Sequence, residues 1–118
     1  MSARVTRSVL ALLLATTLTV SCGGEVSVSG WVRDVAPTAD GVQFTLIVDS
    51  DPLTTLRLHI VGRLEGGGEN FDANHLLDHA VKGLPVALSY ATNADGRLIV
   101  VRATDAVWLA GRTPPPAP

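Results

Sequence analysis

The chain has 118 residues, with nine Lys plus Arg against eleven Asp plus Glu, a formal charge of −2 and a single cysteine. The acidic balance excludes bulk binding of nucleic acid, because neutralising phosphates needs a basic surface. One cysteine excludes an internal disulfide, and aromatics at 4% leave aliphatic side chains to fill any core.

Arg4 and Arg7 are the only charges before Glu25. Between them and Cys22 runs "SVLALLLATTLTV", Ser8 to Val20, apolar apart from small hydroxyls. A positive start, a short apolar run and small residues at its end predict an export signal over residues 1–21. The run is shorter than the roughly 20 apolar residues that span a bilayer, which argues against a transmembrane anchor. Thr19 and Ser21 suit ordinary cleavage before Cys22, giving a free secreted form. Cys22 directly after the small Ser21 also resembles the lipobox of bacterial lipoproteins, over residues 1–24, with Thr19 where that family usually has leucine. The resemblance implies a diacylglycerol on the Cys22 thiol and a new N-terminus there. Residues 22–25 would then be the lipidated cysteine and its tether. The protein would be held by acyl chains such as palmitate in the cell membrane or outer membrane, facing the periplasm or the extracellular space. Glycine after the cysteine resembles the outer-membrane pattern. An unpaired thiol mispairs in an oxidising compartment, and acylation removes that hazard. Two acyl chains also anchor stably where one is marginal.

Without residues 1–21 the chain loses Arg4 and Arg7, and its formal charge becomes −4. Residues 26–111 make one domain, burying roughly 60–65% of its unfolded surface. In "VSVSGWVRDV" Val26, Val28 and Val32 share one face, and Ser27, Ser29, Trp31 and Arg33 the other. "VQFTLIVD" alternates Val42, Phe44, Leu46 and Val48 with Gln43, Thr45, Ile47 and Asp49. "TLRLHIV" turns Leu56, Leu58 and Ile60 inward and Thr55, Arg57 and His59 outward. Three such strands at short spacing predict an antiparallel meander. "RLEGGGEN" predicts a flexible loop. "FDANHLLDHAVKGLP" predicts one short helix, capped by Asp72 or Asn74, ended by Gly83 and barred by Pro85. Its apolar face is expected to be Leu76, Leu77, Ala80 and Val81. "PVALSYAT", a tight "NADG" hairpin and "RLIVVRATDAVWL" close the domain, with a bulge near Ala103 to Asp105. Residues 112–118 are a Pro-rich tail, expected in an extended polyproline form.

Three strands, a helix and two strands resemble the OB-fold, a five-stranded antiparallel Greek-key barrel with its helix between strands three and four. "VSGWVRDV" leading into "VQFTLIVD" is similar to the opening of the anticodon-binding OB domains of aminoacyl-tRNA synthetases, over residues 25–109. The alternative is an open antiparallel sheet with one helix across it. The haem chaperones of cytochrome c maturation resemble the chain in membrane attachment and strand pattern. Their His-and-Tyr tail motif is missing from "GRTPPPAP", so haem attachment does not carry over.

OB barrels usually bind on the outer face of strands two and three. On that expectation Trp31, Arg33, Arg57 and His59 form a ligand face, with an aromatic plate and flanking guanidiniums for a protein or a small anionic molecule. The bland reading is that Trp31 packs over a neighbouring strand. The helix offers "HLLDH": His75 and His79 at i and i+4 share one face, the spacing of two zinc ligands, completed by Asp72 or Glu69. The string superficially resembles the H-x-x-E-H of inverzincin proteases, but aspartate replaces the catalytic glutamate. No G-x-S-x-G or placed carboxylate pair is present, so no enzyme is expected. The sequence predicts a non-enzymatic, membrane-tethered OB-like binding module with no cofactor and an envelope protein or small anion as partner. The alternatives are a zinc-binding lipoprotein using the helix histidines, and a structural envelope protein with no ligand.

Overall fold

The computed structural model describes residues 24–109, 111, 112 and 114. The expected export signal, Cys22 with Gly23, and residues 113 and 115–118 of the tail lie outside the described residues. In chain order the elements are β1 (Val26–Pro37), β2 (Gly41–Val48), β3 (Thr55–Val61), β4 (Glu65–Gly66), β5 (Glu69–Asn70), the helix α1 (Ala73–Lys82), β6 (Pro85–Thr92), β7 (Leu98–Asp105) and a 3-10 turn over Val107–Leu109. Five of the strands close into an OB-like barrel in the order β1-β2-β3-β7-β6, while β4 and β5 form a small separate hairpin.

Alternation builds the barrel. Val32, Val42, Phe44, Leu46, Leu58, Ile60, Val86, Leu88 and Val100 all point into one core. Their outward neighbours, such as Gln43, Thr45 and Arg57, are half-buried or exposed. The barrel is not antiparallel throughout: β3 and β7 run parallel, with Leu58 beside Leu98 and His59 beside Ile99. A closed ring of five strands cannot reverse direction at every pair, so one parallel pair is unavoidable. It falls where the chain, having crossed by way of α1, returns to β3. Closure leaves none of these five strands with a free edge.

Three expectations need correction. "RLEGGGEN" is not a structureless loop but the β4–β5 hairpin, with Gly67 and Gly68 at positive φ. The last strand stops at Asp105, and its register shift lies opposite Ser89 and Tyr90, which pair with Arg102 and Val100 and leave Val101 extra. Trp108 therefore sits on the 3-10 turn and is exposed. Finally, α1 buries a different face from the one its aliphatic residues suggest. Leu76 and His79 are buried, whereas Leu77 is exposed and Val81 is 78% exposed. Leu76, with Phe71 just before the helix, joins the barrel core.

Candidate metal centre

The ends of α1 are fixed by local chemistry, and each end orients a histidine. At the start, Asp72 has extended backbone and its carboxylate accepts the His75 N–H at 2.9 Å. This closes one of the open donors of the first turn. At the end, Gly83 takes the left-handed conformation (φ 69°) that a side chain disfavours. The chain then folds back, and the N–H groups of Gly83 and Leu84 both reach the His79 carbonyl. The same turn brings the Leu84 carbonyl oxygen to 3.0 Å from His79 Nδ1. A carbonyl only accepts, so Nδ1 donates to it and Nε2 faces the other way.

It faces His75 and Asp105. His75 Nε2 lies 3.0 Å from His79 Nε2, and Asp105 Oδ1 lies 2.9 Å from His79 Nε2 and 3.6 Å from His75 Nε2. Behind His75, Glu69 Oε1 stands 3.1 Å from Nδ1, within ion-pair distance. The two Nε2 atoms and the Asp105 carboxylate oxygen therefore cluster at one place, each residue offering one ligand atom. A proton between the two Nε2 atoms makes their contact a hydrogen bond, and a metal ion can take its place. The spacing suits an ion: one held about 2.1 Å from each atom would sit about 1.0 Å out of their plane, with its outer side open. Histidines whose second nitrogen is held by a carboxylate or a main-chain carbonyl are the usual form of metal-ligating imidazole. The rings stack at 4.8 Å, and Phe71 lies against His75 at 4.3 Å, closing the inner side. The Asp105 side chain is 47% exposed, which leaves an entry from solvent.

Other elements complete the cluster. The β4–β5 hairpin lies so close to β7 that a Cβ on Gly66 would fall on the Ala103 carbonyl oxygen. That contact, possible only for glycine, places Glu69 behind His75. Of the two expected completing ligands, Asp72 is the helix cap and Glu69 binds the far nitrogen of His75, so neither joins the converging set. The third member is Asp105, at the end of β7 and paired across the sheet with Val86 just beyond the helix. Sequence reasoning missed it. The signal was in the hairpin: counting back from Asn93–Gly96 brings the end of β7 to the start of β6.

The expected ligand face is only partly assembled. Trp31 is 3% exposed and cannot serve as a stacking plate. It points away from the lumen, but its cross-strand neighbours are Ile47 and Pro85, and Ile47 is buried as well. The chain beyond β7 runs alongside, with the Ala106 N–H bonded to the Pro85 carbonyl and both Ala106 and Leu109 buried. Trp31 thus belongs to a second apolar layer outside the barrel wall. Arg33 is half-buried on the same strand. Arg57 and His59 do lie on the outer face of β3. Arg57 Nη1 donates to Thr45 Oγ1 at 2.9 Å and to the Asp34 carbonyl at 3.3 Å. Arg97, unforeseen, places Nη2 at 3.2 Å from His59 Nδ1. Partial burial, then the nearby charges of Arg97 and Arg57, push the His59 pKa below 6.5, against a weaker pull from Asp40.

Fold and site together define a small OB-like barrel with a two-histidine, one-carboxylate cluster at its helix-plugged end. No family model matches the chain, and no curated protein matches it.

Proposed function

We propose that the protein is a metal-binding module that holds a divalent first-row transition ion, with zinc as the reference case, on His75, His79 and Asp105. The observation that carries this reading is the gathering of three possible ligand atoms within 3.6 Å of one another, with the Leu84 carbonyl holding His79 Nδ1 and the Glu69 carboxylate beside His75 Nδ1. Two imidazoles and a carboxylate suit zinc, copper or nickel better than magnesium or calcium, which prefer all-oxygen shells. The role is binding rather than catalysis: Glu69 is committed to His75 Nδ1 and is not placed to move a proton on a ligand of the ion. The export signal and Cys22 support an extracytoplasmic address, with a lipid anchor in the cell membrane or outer membrane and an envelope protein as the natural recipient or donor of the ion.

The experiment is a zinc titration followed by thermal unfolding. An ion bound only by the folded state adds about 2.7 kcal/mol of stability at a concentration one hundred times its dissociation constant, a rise of several degrees in Tm. His75→Ala with His79→Ala, and separately Asp105→Asn, should remove the rise. An unchanged Tm in the parent chain, or a rise that survives in these variants, ends the proposal.

A further inference from the structure

Arg57 on β3 and Arg97, the residue just before β7, stand side by side. Leu58 pairs with Leu98 in the parallel β3–β7 ladder, so the residue before each stands beside the other. Like charges side by side on a sheet repel. Arg63, Lys82 and Arg102 each have a carboxylate within ion-pair distance. Among the described residues Arg57 and Arg97 have none; their partners are a hydroxyl, a main-chain carbonyl and the imidazole of His59. In a chain with more acids than bases, two adjacent guanidiniums left without a counter-ion mark a place for an external anion. Guanidinium suits a tetrahedral oxyanion because its fork matches two oxygens at once. His59 adds a third donor that can be switched on, since an anion over the site stabilises the imidazolium that Arg97 and Arg57 otherwise oppose. Asp40, from the turn between β1 and β2, is the acidic group acting on it.

The position of the pair supplies the source of that anion by topology. β1 is antiparallel to β2 and β2 to β3, and β3 is parallel to β7. Strands β1, β3 and β7 therefore all start at the same end of the barrel. Val26, where the chain enters, and Arg57 and Arg97, at the starts of β3 and β7, share that end. Asp105 and the metal cluster lie at the other. We propose that Arg57, Arg97 and His59 form a binding site for a phosphate group, and that its source is the headgroup of the membrane from which Cys22 tethers the chain. The site itself is independent of the metal reading; the choice of headgroup over free phosphate rests on the proposed tether.

The test follows the imidazole of His59 by NMR in the intact chain, in two arms. In the first, inorganic phosphate is added in neutral detergent. In the second, the chain is placed in phosphatidylcholine bilayers with and without phosphatidylglycerol. The proposal expects the His59 titration midpoint to rise by about half a pH unit or more in at least one arm, as an adjacent anion favours the charged imidazole. A rise with phosphatidylglycerol but not with phosphatidylcholine alone supports the headgroup as source. A rise with inorganic phosphate alone supports the site and overturns the headgroup assignment. Arg57→Gln with Arg97→Gln should abolish the rise while the variant keeps a cooperative thermal unfolding like the parent's, which shows that it is folded whether or not zinc binds. No rise in either arm, read in the parent chain without any substitution, or a rise that persists in the double variant, overturns the proposal.

Discussion

Trp31 carries its largest apolar surface on the outside of the barrel wall, between Ile47 and Pro85, and is covered there. Its indole Nε1 is buried without a hydrogen-bond partner among the described residues. Removing the ring leaves a large void, so Trp31→Ala should cost about 3–5 kcal/mol. Trp31→Phe also loses volume, but it removes a buried unpaired N–H that itself costs about 1–3 kcal/mol. It should therefore cost under about 1.5 kcal/mol, in the range of size-conserving swaps. Urea unfolding of both variants decides the matter. If the alanine variant proves nearly as stable as the parent, Trp31 is not a packing residue and its place as a ligand plate is restored. Alternation along β1 correctly told which way Trp31 points. It could not tell that Ala106, some 75 residues later, returns to bond with Pro85, the cross-strand neighbour of Trp31.

On α1, two faces competed for the core. Leu76, Leu77, Ala80 and Val81 offer more aliphatic carbon, but the helix turns Leu76 and His79 inward instead. The reason lies in what surrounds it. Leu76 meets the barrel core, while His79 gains Leu84, His75 and Asp105 as polar partners and loses little by burial. A buried polar group is tolerated when its hydrogen bonds are met. Leu76→Ala should therefore cost about 2–5 kcal/mol, whereas Val81→Lys should change stability by no more than about 0.5 kcal/mol. Comparable losses from both, measured by denaturant unfolding, would mean that the helix is rotated from this position. The caps at Asp72 and Gly83 and the "NADG" turn were readable because each depends on residues within a few positions. The same holds for the i, i+4 histidine pair. Asp105 and Glu69 were not readable as its companions, since a bulge in β7 and the glycine contact of the β4–β5 hairpin set their places.

Across the whole barrel, the histidines at its two sites have opposite surroundings. His75 and His79 look toward the carboxylates of Glu69 and Asp105, while His59 lies between two guanidiniums. Lowering the pH therefore acts on His59 in a definite direction. Its unfolded form takes a proton near 6.5, and its folded form only at lower pH, because burial and then Arg97 and Arg57 oppose the charge. Between those values the unfolded state binds more protons, so stability rises with pH. The contribution of His59 is complete above 6.5, is lost progressively as the pH falls toward the lower folded value, and changes no further below it. In metal-free chain, His59→Gln should remove this part of the acid sensitivity: its denaturation midpoint should fall less than the parent's between pH 7.5 and 5. The comparison cancels effects from the rest of the chain, because only residue 59 differs. A bound anion should flatten the parent's curve as well, since it compensates the same imidazolium. If parent and variant lose stability in parallel over this window, the guanidiniums do not govern His59, and the cationic end of the barrel is more screened by solvent than its geometry implies.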